Sequence, residues 1–384
     1  MDHKKYLKEN VLDFWLKNAI DEEYGGIFTC LDRQGAVYGT EKSVWFQGRA
    51  LWTFSKVYNL TEKRQEYLEA ADKIYPFLSK CEDKDGRMFF TVTKDGRAIQ
   101  KRRYYFSETF AAIGCAEYYK ATGNEDAWEN AEKYFETAWK CFTHPEMNPP
   151  KYNITMKALS PAMIMLSTAR VLASCKKNRK YYNNIAKKLT NEVLHGGYIS
   201  GEQNALLENV MPDGSFCNTP MGRTVNPGHS LETAWFLMGE GIAAKNDEAL
   251  DAAKRIIDFT MPLGFDKKHG GIIAFTDVKG MPPASLEWDM KLWWPQNEAI
   301  IANRLAYAIF GDNKYLENYE ILHEYAFENF EDKEYGEWYG YLHYDNTPSN
   351  YLKGNIFKGP FHLPRMLMIL NEFDVKGNMT DFWK

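Results

Sequence analysis

The sequence predicts an all-α fold, an (α/α)6 toroid with short β-hairpins in its connecting loops. Three observations predict it. A frame of turn, short β-branched or aromatic run and second turn recurs, each copy opening on an acidic residue with glycine four positions later. Ring-rich helices alternate with charged amphipathic ones. Neither end of the chain carries a polar capping repeat, so an open solenoid would leave apolar faces uncovered and closure into a ring is expected.

In chain order, a first helix is expected from about Lys4 to Asn18, with Leu7, Val11, Phe14 and Trp15 on one face. The hairpin frame follows as DEEYGGIFTCLDRQG from Asp21, and returns from Glu82, Asp266 and Asp332. These starts are compatible with a unit of about 64 residues, which the chain holds six times. Six helix starts rich in rings fall at that spacing: VWFQGRALW (44–52), YYFSETFAA (104–112), LSPAMIML (159–166), NPGHSLETAW (226–235), KLWWPQNEA (291–299) and FKGPFHLPR (357–365). Between them, more polar helices are expected to open at Thr61, Asn124, Asn246 and Asn313, residue types suited to an N-cap. The first set would line a cavity and the second would wrap it. No shift in composition marks a linker, so residues 1–384 read as one domain.

Composition narrows the function. With 45% hydrophobic and 26% charged residues the chain is globular, and a net charge of −5 gives no basis for nucleic acid or an anionic membrane as partner. The N-terminal MDHKKYLKENVLDFW lacks a signal-peptide core, and no run approaches the ~18 apolar residues of a membrane span. Six cysteines without a CxxC pair suit free thiols, and the expected location is cytoplasmic. Aromatic residues reach 15%, enough for a core and for sugar stacking.

If the ring closes, five of the six inner helix starts bring polar groups to one end of the cavity. These are Gln47 and Arg49, Ser107 and Glu108, His229 and Glu232, Gln296 and Glu298, and His362 and Arg365; the third unit offers only Ser160 and Met163. His229 and Glu232 are three apart on one helix face, so Glu232 is expected to fix the tautomer of His229. Two histidines among scattered glutamates make a weak metal signal without HExxH-type spacing. No GxSxG or GxxxxGK[ST] element is present. Glycoside hydrolysis through a pair drawn from Glu108, Glu232 and Glu298 is the main rival, opposed by the Arg or His expected beside each. A histidine pair suits proton transfer at a carbon next to a carbonyl, one imidazole on each face, with Arg49 to stabilise the enolate oxygen. Trp45, Trp52, Trp288 and Trp293 read as core.

At these residues the chain resembles the N-acylglucosamine 2-epimerase family. The resemblance spans nearly the whole chain, through YGGIFTCLDRQGAVY, VWFQGRALW, NALLENV, RTVNPGHSLETAWFL, LEWDMKLWWPQNEAIIA, YGEWYGYL and FKGPFHLPR in that order. It implies an (α/α)6 barrel that interconverts N-acetylglucosamine and N-acetylmannosamine by ring opening and proton exchange at C2. It implies His229 and His362 as the acid/base pair, Arg49 as the essential arginine, and Glu232 and Glu298 as assisting carboxylates. Trp294, Gln296 and Phe361 are expected to line the sugar pocket, with Gln47, Glu108 and Arg365 completing the set. No cofactor is expected in the chemistry; animal members imply ATP as an effector, and relatives imply a homodimer. Related aldose epimerases or isomerases acting on mannose or cellobiose are the nearest alternative, ahead of a glycosidase or a non-catalytic binding protein.

Overall fold

A computed structural model describes residues 1–102, 105–148 and 155–377. Tyr104, where the second ring-rich segment is read to open, lies outside them. The six inner helices are α2 (Val44–Leu60), α4 (Phe106–Thr122), α6 (Leu159–Ser174), α8 (Pro227–Ala244), α10 (Trp293–Phe310) and α12 (His362–Lys376). Five outer helices each follow an inner one: α3 (Gln65–Ile74), α5 (Glu125–Thr143), α7 (Arg179–His195), α9 (Asp247–Gly264) and α11 (Asn313–Phe330). The sixth outer helix is α1, which runs through His3–Tyr6, a π-helical stretch Leu7–Leu12 and Asp13–Asn18.

Packing follows the expected ring. Each of α2, α4, α6, α8 and α10 packs on the outer helix after it, and α12 packs on α1. Neighbouring inner helices touch around the circle, and contacts from α12 to α2 close it. Gly48 and Gly114 allow the α2–α4 crossing. A Cβ on Gly48 would sit 2.4 Å from the Phe110 carbonyl carbon, and one on Gly114 would sit 2.5 Å from Gly48 O. The seam between the chain's ends is tied by buried bonds from Trp15 Nε1 to Glu337 (2.6 Å) and Trp338 Nε1 to the Tyr6 hydroxyl (3.1 Å).

Side-chain caps set several of the helix starts. Asn124, Asn226 and Asn246 accept from the backbone N–H three residues on, satisfying one orphan donor of each helix. Two expected starts move. Thr61 belongs to the end of α2, where its hydroxyl donates to Val57 O, and α3 begins at Gln65. Asp312, rather than Asn313, caps α11. α7 had no counterpart in the sequence reading; Asn178 before it sits at φ 47° with no side-chain cap bond.

The hairpins pin the inner helix starts. The two residues before α2, α6 and α10, and Thr224–Val225 one residue ahead of α8, pair antiparallel with a later segment: Lys42↔Val92, Lys157↔Val210, Lys291↔Leu342 and Thr224↔Asp277. In three copies the acidic residue opening the frame closes its turn and holds a buried lysine; in the copy from Glu82 the turn is closed by Asp83 instead. Lys42 reaches Asp21 at 2.6 Å, Lys291 reaches Asp266 at 2.7 Å and Lys353 reaches Asp332 at 2.8 Å. The inner helices thus present their N-terminal turns toward one end of the ring.

Candidate active site

A cavity of about 470 Å³ opens at that end. Arg49, His229, Glu232, Trp294, His362 and Arg365 line it, together with Phe361. His229 is the third residue of α8, and its backbone N–H donates to the Asn226 cap at 3.0 Å. His362 is the first residue of α12. Both imidazoles lie against one indole: the ring centroids of His229 and His362 are 5.3 and 5.7 Å from that of Trp294. Gly228 makes room for this indole, since a Cβ there would meet Trp294 Cζ3 at 2.5 Å.

Each imidazole rests its Nδ1 on a carboxylate. His362 Nδ1 lies 2.7 Å from Glu298 Oε1, and His229 Nδ1 lies 3.0 Å from Glu208 Oε1. Carboxylate acceptors favour the proton on Nδ1 in both rings, with Nε2 left free; at His362 the 2.7 Å contact to Glu298 outweighs a longer one, 3.3 Å, from the Arg365 guanidinium to the same Nδ1. Arg365 donates to Glu232 and to Glu298, both at 2.7 Å, and Trp235 Nε1 donates to Glu298 at 2.8 Å.

The surroundings push the two histidines apart. Burial, then the cations Arg365 and Arg49, holds His362 well below the usual histidine value of 6.5. Burial also pulls on His229, whose side chain is 26% exposed, but the charge and hydrogen bond of Glu208, with Glu232 and Glu298 behind, raise it overall. The two imidazoles thus differ in proton affinity, His362 lowered and His229 raised.

Arg49 pairs with no carboxylate among the described residues. Its guanidinium carbon lies 3.9 Å from the centre of the Phe110 ring and 4.7 Å from that of Phe361, and its Nε has no hydrogen-bond partner. Burial lowers it to about 9, so it remains a cation at neutrality. Oxygen and nitrogen atoms of Glu232, Glu298 and His362 come within 4.8 Å of one another, as a metal site would require. The guanidinium of Arg365 already supplies a cation to both of those carboxylates.

Several expected placements change. Gln47 and Gln296 are fully buried and line no part of the cavity. Gln47 accepts from Ile27 N and donates to Ile27 O, while Gln296 does the same with Ile272, so each brackets a hairpin strand. Glu108 likewise holds the Arg87–Met88 backbone turn and the Arg87 side chain. The three share one cause: a polar side chain in the first turn of an inner helix can satisfy the hairpin packed on it as readily as face the cavity. Glu232 serves Arg365 rather than His229. Trp45 and Trp293, read as core, do pack in or against it and also line the cavity, as do Ser160 and Met163. Glu208 was missed, although it lies inside the NALLENV motif, because its hairpin is remote from His229 in sequence.

The fold, with the sequence relatives that share it, makes this chain an (α/α)6 sugar 2-epimerase, an enzyme of the isomerase class. The chain belongs to the N-acylglucosamine 2-epimerase family, whose model matches residues 26–358. It is 34% identical to N-acylglucosamine 2-epimerase of Mus musculus over 95% of this chain and 89% of that protein. Identity to cellobiose 2-epimerase of Ruminococcus albus is 26%, covering 95% of this chain and 96% of the other. The solved structure of cellobiose 2-epimerase from Bacillus thermoamylovorans B4167 superposes with a TM-score of 0.85 at 20% identity, over 96% of this chain and 98% of that one.

Proposed function

We propose that the protein interconverts N-acetylglucosamine and N-acetylmannosamine through proton transfer at C2 by His229 and His362. The observation that carries this reading is the pair of imidazoles against Trp294, each with Nδ1 on a carboxylate and Nε2 left for substrate. The pyranose opens, and the C1 aldehyde acidifies the hydrogen on C2. His362 Nε2 removes that proton, the enolate charge develops on the C1 oxygen beside the guanidinium of Arg49, and His229 delivers a proton to the opposite face. The reverse reaction exchanges the two roles. A positioned acid or base contributes about 10²–10⁴ in rate, and a preorganised donor at the developing oxyanion about 10²–10³.

The acetamido substrate is supported by identity to mammalian N-acylglucosamine 2-epimerases over most of the chain, and by apolar Met163 and Ile164 on the third inner helix in the cavity wall. No metal or nucleotide enters the chemistry in this reading, and ATP would act only as an effector. The experiment is turnover of N-acetylmannosamine, mannose and cellobiose side by side, with and without EDTA and ATP. N-acetylglucosamine formation insensitive to EDTA supports the proposal. Preference for mannose or cellobiose would move the substrate to the related aldose enzymes.

A further inference from the structure

The carboxylate behind His229 comes from a hairpin, not from an inner helix. Glu208 immediately precedes Asn209–Val210, the segment paired with Lys157–Ala158 ahead of α6. Its backbone N–H donates to Thr224 O at 3.2 Å, and its carbonyl accepts from Leu159 N at 3.0 Å. The residue is therefore fixed at the junction of the two ladders that launch α6 and α8. Its side chain is 12% exposed, and its ion-pair partner among the described residues is His229 alone. Glu298, the counterpart behind His362, differs: Arg365 neutralises it and Trp235 takes its second oxygen.

We infer that Glu208 is the positioning residue for His229, fixing its proton on Nδ1 and, as a carboxylate with no other cation beside it, making His229 the proton donor of the resting pair. This inference rests on the two-histidine reading above. Besides Arg49, His362, Arg365, Tyr341 and the exposed Glu287, which line the same cavity, the other charged groups acting on His229 are Glu232 from its own helix and Glu298 from α10. Those last two carboxylates are already bonded to Arg365, so neither substitutes for Glu208. The raised proton affinity of His229 against the pull of burial agrees with this assignment.

The test compares the full chain with its Glu208→Gln and Glu208→Asp variants. Glutamine keeps an acceptor and loses the charge. Epimerisation is followed against pH in both directions, and deuterium at C2 of unreacted sugar is measured in heavy water. The expected result for Glu208→Gln is a kcat lower by about 10²-fold with KM little changed. Its alkaline limb should move to lower pH in the direction where His229 donates, and deuterium should enter unreacted substrate faster than inversion occurs. Glu208→Asp should restore part of the rate. Imidazole NMR titration of His229, which needs no turnover, should show its midpoint falling in Glu208→Gln. An unchanged midpoint and pH profile would overturn the inference, even where thermal stability falls. Failure of the wild type to turn over any amino sugar, with the His229 midpoint still moving, would instead overturn the substrate reading.

Discussion

His362 and Arg365 share one oxygen of Glu298: Nδ1 of the imidazole and a terminal nitrogen of the guanidinium both lie 2.7 Å from Oε1. The residues are one helical turn apart on α12, so the helix itself sets the spacing of base and cation. Arg365 thereby keeps His362 short of a full negative partner and neutral at rest, while tying Glu232 and Glu298 together.

Arg365→Met removes the only permanent cation bonded to these two buried carboxylates among the described residues. Breaking a buried pair from one side costs about 3–5 kcal/mol. The urea midpoint should fall accordingly, with epimerisation lost in parallel. An unchanged midpoint would mean that the carboxylates are satisfied without the guanidinium.

Arg49→Lys preserves a charge but loses the planar fork stacked between Phe110 and Phe361. If Arg49 meets the enolate oxygen, kcat should drop by about 10²–10³ with little change in the unfolding midpoint. A change confined to KM would assign Arg49 to ground-state binding instead.

The pH profile follows from the two histidines. In the direction where His362 is the base, activity needs His362 neutral and His229 protonated. Since His362 is lowered, the acid limb should lie below 6.5; since His229 is raised, the alkaline limb should lie above it. A plateau in kcat/KM spanning 6.5 is expected, and a single limb at that pH would contradict the assignment.

Gln47→Ala and Gln296→Ala test the corrected role of the two glutamines. Each orphans a buried backbone N–H and C=O of Ile27 or Ile272, at roughly 1–3 kcal/mol per unsatisfied group. Thermal midpoints should fall while KM for the sugar holds. A raised KM with normal stability would return them to the binding site.

The ring was legible because its two signals are periodic: the hairpin frame opening at Asp21, Glu82, Asp266 and Asp332, and the ring-rich starts such as that at Val44. α7 was missed although Asn178, a residue type suited to an N-cap, directly precedes its first residue, Arg179. At the site, His229, His362, Arg49, Glu232 and Glu298 were legible as polar groups in ring-rich helix starts, and all but Glu298 line the cavity, which Glu298 supports from behind. What each carboxylate holds was not. Glu232 sits one turn from His229 yet binds Arg365 across the ring, and Glu208 reaches His229 from a separate hairpin. Such pairings depend on how ladders and helices meet in space, which spacing along one helix does not encode.

Proton NMR of N-acetylmannosamine incubated with the enzyme in heavy water tests the central claim most directly. Two-imidazole transfer at C2 predicts N-acetylglucosamine carrying deuterium at C2, its formation abolished in His229→Asn and in His362→Asn. Product that retains its original C2 hydrogen throughout, or product formation that survives loss of either histidine, would contradict the account.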